Sequence, residues 1–231
     1  MAVLAESGSD PDVGLLFDIN GLARSAPPGV DRAVAFVGEY GLLCAMALLV
    51  LACWWSLRRR GGTDVASGMA ALVWAPVAAG LAFLVNIPIR DFVRRPRPFH
   101  EYQGLDVLVH GQHGFSFVSD HATLTMAVGV GLFVAHRRFG LVGIGLALVE
   151  GFCRVFMGVH YPTDVVGGFA LGTAVVLLLA PGASALLTPL VRVVERSPRM
   201  GWLVRRRSAG RGGAVVPGTR LPVVEERDLA A

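Results

Sequence analysis

The chain has 231 residues, of which 54% are hydrophobic and only 16% are charged, and its mean hydropathy is +0.59. Soluble domains carry roughly 25% charged residues, so this composition excludes an ordinary soluble globular protein. The net charge of +4 includes 21 basic residues, all of them arginine, which we attribute to membrane anchoring rather than to a nucleic-acid partner.

The N-terminal region carries little apolar sequence. Residues 1–14 are predicted to be disordered, and residues 15–24 are predicted to form a short amphipathic helix at the membrane surface. The first residues lack a basic start followed by an apolar run, so we expect no cleavable signal peptide. Two prolines at residues 27 and 28 then break the chain before the first span.

Five hydrophobic stretches follow, and a helix needs about 20 apolar residues to cross a bilayer. Residues 65–89 and 165–191 are long and uncharged, with 25 and 27 residues. Residues 42–57 form another span, whereas residues 122–135 and 140–158 are shorter or carry charge. The sequence therefore predicts an all-α fold, a polytopic membrane bundle of about five transmembrane helices with an N-terminal interfacial helix.

Arginines cluster after the first, third and fifth predicted spans, which places them on one side of the membrane. The positive-inside rule makes that side the cytoplasm. We therefore expect a plasma-membrane protein whose C-terminus is cytoplasmic and whose loop over residues 90–118 faces outward. The membrane domain is predicted to cover residues 15–198, and residues 199–231, rich in Arg and Gly, are predicted to form a flexible tail.

A histidine and an acid flank the start of the fifth predicted span. His160 lies on a short turn, Thr163 is the predicted cap of the next helix, and Asp164 follows His160 by four residues. The carboxylate can accept a hydrogen bond from one imidazole nitrogen and leave the other free to attack. The pattern suits a nucleophilic histidine that forms a phosphohistidine. Taken alone, it suits an interfacial histidine beside a helix-start acid at least as well.

Arg154 lies inside the fourth predicted span, where a charged side chain is costly and usually functional. Glu150 precedes it by four residues, so the two side chains can pair on one helix face. We predict that Glu150 orients Arg154 and that Arg154 holds a phosphate oxygen. A purely structural ion pair is the alternative.

The triplet Ser119-Asp120-His121 opens the third predicted span. Ser119 is predicted to cap the helix, whose N-terminal N–H groups attract phosphate. His121 could protonate a leaving oxygen from the first turn. Asp120 would repel phosphate, so we expect it to point away or to pair with an arginine. Simple compensation of the helix dipole is the slightly favoured alternative for Asp120.

Two arginines at the end of the second predicted span complete the set. Arg90 follows the 25-residue apolar run, and Arg97 lies seven residues further on. Together with Arg154 they would offer three planar guanidinium groups to a phosphoryl group. Such a set could replace a metal in stabilising phosphate charge. Arg94 and Arg95 are further candidates, although headgroup anchoring explains them at least as well.

These clusters resemble the signature of the type 2 phosphatidic acid phosphatase superfamily, which reads K-x6-R-P, then P-S-G-H, then S-R-x5-H-x3-D. The resemblance covers roughly residues 85–175. It implies His160 as nucleophile, Asp164 as its partner and His121 as general acid, with no metal or other cofactor. The predicted substrate-binding set is Arg90, Arg97, Ser119, Asp120 and Arg154, with Glu150 in support.

The chain departs from that signature at four positions, with Arg90 for lysine, Val118 for proline, Asp120 for glycine and Cys153 for serine. The Ser-Asp-His form and residues 158–165 resemble the bacitracin-resistance branch of bacterial undecaprenyl-diphosphate phosphatases. The resemblance implies hydrolysis of that lipid to its monophosphate at the outer face, which recycles the cell-wall carrier lipid. The alternatives are another lipid phosphate, such as phosphatidate or phosphatidylglycerol phosphate, and a non-catalytic protein that binds lipid phosphates.

Overall fold

The computed structural model describes residues 10–59 and 65–205, and the regular structure within these ranges is entirely helical. A π-helical segment, Val37–Gly41, joins the second helix to the third, and a 3-10 helix, Gly201–Leu203, follows the last. The predicted all-α fold is confirmed. The α-helices are α1 Pro11–Ser25, α2 Pro28–Phe36, α3 Leu42–Arg59, α4 Val65–Val93, α5 Pro98–Glu101, α6 Asp120–Ala135, α7 Arg137–Phe156 and α8 Pro162–Arg196.

Four helical stretches are long and apolar enough to cross a membrane, namely Pro28–Arg59, Val65–Glu101, Arg137–Phe156 and Pro162–Arg196. The remaining predicted span is α6, which is apolar but has only 16 residues. It packs against α4, α7 and α8, whereas α3 and α8 present many exposed apolar side chains. Outward-facing leucines and valines of this kind are expected where helices meet lipid.

Small residues allow the central helices to approach closely. A Cβ added to Gly172 of α8 would lie 2.5 Å from the carbonyl oxygen of Thr123 in α6. A Cβ added to Gly131 of α6 would lie 2.5 Å from the Cβ of Ala75 in α4. Such glycine and alanine contacts are the usual basis of helix packing in membranes. They hold α6 and α8 side by side, so that both helices begin at the same end of the bundle.

The N-terminal helix begins earlier than the sequence predicted. α1 starts at Pro11, and the Asp10 side chain accepts a hydrogen bond from the Asp12 N–H at 2.9 Å. The prediction of disorder was therefore wrong for residues 11–14, because an aspartate cap followed by a proline is a helix-start signal. The rest of the segment predicted to be disordered lies outside the described residues.

α1 also packs against protein along one face, on which Val13 and Leu16 are buried. The Asn20 side chain donates to the carbonyl oxygens of Phe156 at 2.8 Å and Asp106 at 2.9 Å, and it accepts from the Asp106 N–H at 2.9 Å. A buried amide that satisfies three backbone groups fixes the position of α1. The helix is thus a structural part of the end of the bundle where α7 finishes.

The opposite end of the bundle contains the start of the predicted flexible tail. Residues 199–205 include the 3-10 helix, and the Trp54 indole N–H donates to the Leu203 carbonyl oxygen at 2.9 Å. The Arg58 guanidinium lies 4.7 Å from the Trp54 ring centroid and 5.6 Å from that of Trp202. These contacts hold Trp202 and Leu203 against α3, and the flexibility predicted for the tail stays a prediction. The remainder of the predicted tail lies outside the described residues.

Candidate active site

The three sequence clusters meet at the end of the bundle where α6 and α8 begin. A direct contact joins each pair of clusters, although the residues in contact are 30 to 63 positions apart in sequence. The contacts are Arg97 Nη1 to His160 Nε2 at 3.4 Å, the Ser119 N–H to the Asp164 carbonyl oxygen at 3.1 Å, and the ion pair between Arg90 and Asp120.

His160 lies in the turn between α7 and α8, where Gly158 adopts a φ of +71° that favours glycine. Its Nε2 atom is 3.4 Å from Arg97 Nη1. A guanidinium only donates, so Nε2 must be the acceptor and the ring proton must reside on Nδ1. Nδ1 lies 3.6 Å from Asp164 Oδ2, slightly beyond hydrogen-bond length. Catalytic hydrogen bonds are often this long before substrate binds.

The environment of His160 favours its neutral form. Burial lowers the pKa of its imidazole below the ordinary value, and the nearby cations of Arg97 and Arg154 act in the same direction. The carboxylate of Asp164 acts in the opposite direction and raises this pKa. Because burial dominates, the imidazole is neutral at neutral pH, and its Nε2 carries the lone pair that faces Arg97 Nη1.

Asp164 is fully buried in the first turn of α8, and three donors hold its carboxylate. The Tyr161 N–H donates to Oδ2 at 2.9 Å, the Ser116 hydroxyl donates to the same oxygen, and Arg95 Nη1 donates to Oδ1 at 2.9 Å. The cap of α8 is Tyr161, so the prediction that Thr163 caps this helix was wrong. The helix starts two residues earlier than that prediction required, with a proline in its first position.

Arg95 has a role that the sequence did not reveal. It bridges Asp164 to Asp12 of α1, with a distance of 2.7 Å between its Nη2 and Asp12 Oδ2. Its guanidinium also lies 3.7 Å from the ring centroid of Tyr161. Asp12 in turn accepts from the Thr163 N–H at 2.9 Å. Arg95 therefore orients the acid behind His160, a role that neither of the two predicted alternatives included.

Arg97 is 5% exposed, and backbone carbonyl groups hold its guanidinium in place. It donates to the oxygens of Gly114 at 3.2 Å, Val159 at 3.2 Å and His113 at 3.3 Å. These contacts keep the plane of the guanidinium beside His160 Nε2.

Asp120 pairs with Arg90 and does not project toward His160 as a free charge. Asn86, a buried polar residue of α4, donates to Asp120 Oδ1 at 2.8 Å and to the Val118 carbonyl oxygen at 3.0 Å. The expected pairing of Asp120 with an arginine is therefore present. Asn86 was missed, although a polar residue within an apolar span is a signal for function.

Ser119 precedes α6 at the predicted cap position, but its side chain makes no capping hydrogen bond. Its hydroxyl is buried and has no partner among the described residues, so it is available for a phosphate oxygen. His121 lies in the first turn of α6, within electrostatic range of His160, Arg154 and Glu39. The two histidines therefore lie near each other at this end of the bundle.

Arg154 is fully buried, and its predicted pair with Glu150 is present, with Nε 2.7 Å from Glu150 Oε1. The structure adds two partners that the sequence did not indicate. Nη1 donates to Glu39 Oε2 at 3.0 Å, and Nη2 donates to the Gly38 carbonyl oxygen. Both partners lie in the π-helical segment. The only sequence signal for Glu39 was an isolated acid within an apolar run.

The family model of the PAP2 superfamily matches residues 71–186, half of the chain. An undecaprenyl-diphosphatase of Bacillus subtilis is 29% identical over 167 residues, 72% of this chain and 81% of that protein. A decaprenylphosphoryl-5-phosphoribose phosphatase of Mycolicibacterium smegmatis is 33% identical over 152 residues, 63% of this chain and 75% of that protein.

Solved structures show the same fold. The crystal structure of a transmembrane PAP2-type phosphatidylglycerolphosphate phosphatase from Bacillus subtilis superposes with a TM-score of 0.53 at 20% identity. The match covers 80% of this chain and 92% of that one. The family model, the helical fold and the meeting of the three clusters at one end of the bundle agree: the chain is a membrane protein that belongs to the PAP2 superfamily.

Proposed function

We propose that this protein hydrolyses undecaprenyl diphosphate to the monophosphate and inorganic phosphate through a phosphohistidine. The observation that carries the chemistry is the placement of His160, with Nε2 facing the donors of Arg97 and Nδ1 facing Asp164. The choice of lipid rests on the similarity to the undecaprenyl-diphosphatase of Bacillus subtilis.

In the first step, His160 Nε2 attacks the terminal phosphorus and the bond from that phosphorus to the bridging oxygen breaks. The departing lipid monophosphate takes a proton from His121. Positive charge develops on the His160 ring, and the Asp164 carboxylate stabilises it. Arg97 and Arg90 stabilise the negative charge on the transferring phosphoryl group.

In the second step, water attacks the phosphorus of the phosphohistidine. His121, which is now neutral, takes a proton from that water, and the phosphorus–nitrogen bond breaks. Inorganic phosphate leaves, and His160 returns to its starting form. The Ser119 hydroxyl and the first N–H groups of α6 complete the phosphate pocket in this proposal.

An apolar cavity of about 480 Å³ suits the hydrocarbon chain of the lipid. It lies between α3, α4 and α6, and Thr125 in its wall is one helical turn from His121. A chain in this cavity would therefore extend into the membrane from a phosphate at the histidines. The cavity lining is Leu43, Met46, Ala47, Val50, Leu51, Pro76, Leu124, Thr125 and Val128.

The proposed orientation places His160 at the outer face and the end that carries Arg58 in the cytoplasm. It follows from the arginine clusters and the positive-inside rule. An outward site suits the proposed substrate, because the carrier lipid diphosphate is released at the outer leaflet. Labelling of single cysteines placed at each end with a membrane-impermeant reagent in intact cells tests this orientation.

The first experiment is phosphate release by the purified full-length protein in detergent with EDTA present. Undecaprenyl diphosphate and phosphatidylglycerol phosphate are compared, with His160→Ala as the control. We expect release from the diphosphate and a loss of about 10³-fold or more in the variant. Preference for the phospholipid would keep the mechanism and change the substrate. Release that survives His160→Ala would overturn the histidine mechanism.

A second variant tests the place of the hydrocarbon chain. Ala47→Phe fills the cavity wall, whereas Leu178→Phe adds the same ring at a position on α8 that is 78% exposed. We expect Ala47→Phe to lower turnover of undecaprenyl diphosphate by about tenfold, with little effect on a short water-soluble prenyl diphosphate. Equal effects on both substrates would remove the cavity from the proposal.

A further inference from the structure

Arg154 is held by two carboxylates that differ in exposure. Glu150 lies one turn earlier on α7 and has no exposed side-chain surface, and its Oε2 has no partner among the described residues. Glu39 lies on another helix, and its side chain is 19% exposed. Moving Glu150 would leave a buried charge unpaired, at a cost of several kcal/mol. Glu39 is the partner that can move.

The surroundings of Glu39 connect it to the phosphate site. Its Oε1 is 3.4 Å from Gln112 Nε2 of the long loop, and its charge reaches His121. Leu43, one turn further along the same span, lines the apolar cavity. Glu39 therefore lies near the proposed acid and one turn from a residue that lines the apolar cavity.

The backbone around Glu39 packs against α7, whereas its side chain is partly exposed. A Cβ on Gly38 would lie 3.0 Å from the Cβ of Cys153 and 3.0 Å from the Cε of Met157, so the π-helical segment packs tightly on the end of α7. π-helical turns of this kind are common at functional sites. A rotation of the Glu39 side chain alone is enough to release Arg154 Nη1.

The charges around Arg154 oppose phosphate in the state described here. One guanidinium faces two carboxylates, and the Glu39 carboxylate occupies Nη1, a donor that an anionic substrate would otherwise meet. If Glu39 withdraws, Arg154 and Glu150 form a neutral pair and Nη1 becomes a free donor. We propose that Glu39 occupies the place on Arg154 that a phosphoryl oxygen takes, and that substrate displaces it. This inference rests on the proposed function for the identity of the ligand.

The test is direct binding of inorganic phosphate to the full-length protein in detergent, measured by calorimetry. Glu39→Gln removes the competing charge and keeps the size of the side chain. We expect this variant to bind phosphate about tenfold more tightly than the unaltered protein. The matched control is Glu195→Gln at the opposite end of the bundle, which removes the same charge and should leave phosphate affinity unchanged.

Unchanged or weaker phosphate binding by folded Glu39→Gln would overturn the inference and make Glu39 a positioning residue for Arg154. Absence of binding by both proteins would overturn it as well. If a melting curve shows that Glu39→Gln is unfolded, Glu39→Asp replaces it, because the shorter side chain cannot keep the 3.0 Å contact. Tighter phosphate binding is expected there too, and equal or weaker binding contradicts the inference.

The two proposals fail separately. Lipid turnover decides the proposed function, and phosphate affinity decides the role of Glu39. A protein that hydrolyses the lipid but shows no gain in phosphate affinity in Glu39→Gln keeps its function and loses this inference. If Glu39→Gln gains phosphate affinity but the protein hydrolyses no lipid phosphate, this inference stands and the proposed function fails.

Discussion

At the end of the bundle that holds His160, Arg97 and Arg154 are buried, and each contacts several defined acceptors. At the opposite end, Arg58 lies over tryptophan rings and Arg205 pairs with Glu195 while 49% of its side chain is exposed. The residue type is the same at both ends. Burial and the number of fixed acceptors distinguish them.

This difference shows how arginine can serve two purposes in one membrane protein. A guanidinium on an aromatic face at the surface anchors a helix end and tolerates change. A buried guanidinium held by carbonyl or carboxylate oxygens is costly to place and fixes a geometry. Substitutions at the site end should therefore alter chemistry, whereas those at the other end should alter stability alone.

The largest effect is expected for Asp164→Asn. The amide keeps the size of the side chain but cannot stabilise the charge that develops on His160, so kcat should fall about 10²- to 10⁴-fold. Phosphate release from undecaprenyl diphosphate measures it. Arg58→Ala at the opposite end is the matched control and should keep its activity. A kcat reduced less than about threefold in Asp164→Asn would show that the carboxylate does not act with His160.

A smaller loss is expected for Arg95→Ala, which removes the bridge between Asp164 and Asp12. His160 and Asp164 remain, but Asp164 loses the hydrogen bond that orients its carboxylate, so kcat should fall about 10- to 100-fold. Arg95→Lys should recover only part of it, because an ammonium cannot serve both acids with planar geometry. A higher KM without a change in kcat would instead indicate that Arg95 binds phosphate directly.

The dependence of kcat/KM on pH tests the environment of His160. Its pKa lies below the ordinary value of about 6.5, so the neutral nucleophile persists as the pH falls through that value. The acid decline of kcat/KM should therefore begin below pH 6.5. In Asp164→Asn the contribution that raises this pKa is lost, and the decline should move to lower pH. Titration of the substrate affects both proteins equally, so the comparison cancels it. A decline of kcat/KM that moves to higher pH in Asp164→Asn would contradict the prediction.

The smallest effect on chemistry is expected for Arg58→Ala. The variant loses the contacts with Trp54 and Trp202, which should lower the free energy of unfolding by about 1 kcal/mol. A melting curve in detergent measures the loss, and phosphate release should stay at the level of the unaltered protein. A fall in turnover comparable to that of Arg95→Ala would show that the two ends are coupled.

The sequence predicted the parts of the site that depend on local spacing. The pair of Glu150 and Arg154 follows from a separation of four residues on one helix, and Asp164 behind His160 follows from the same separation across a turn. The apolar runs predicted the helices, and their ends predicted that the clusters would share one face. The match to the PAP2 superfamily confirmed the resemblance.

The contacts that were missed join distant positions. Glu39 reaches Arg154 across 115 residues, and Asp12 reaches Arg95 across 83 residues. No local pattern encodes such pairs, because they depend on how whole helices pack. The clearest available signals were the isolated polar residues inside apolar spans, Glu39 and Asn86, since each must find a buried partner.

α1 contains none of the signature residues, yet it supplies Asp12 to Arg95 and Asn20 to the loop and to the end of α7. A chain shortened to begin at Pro28 would keep every signature residue and all four stretches that can span a membrane. It would still lack the contact from Asp12 that holds Arg95 beside Asp164. Such a shortened protein would contain the complete family signature, and we expect its phosphatase activity to be low.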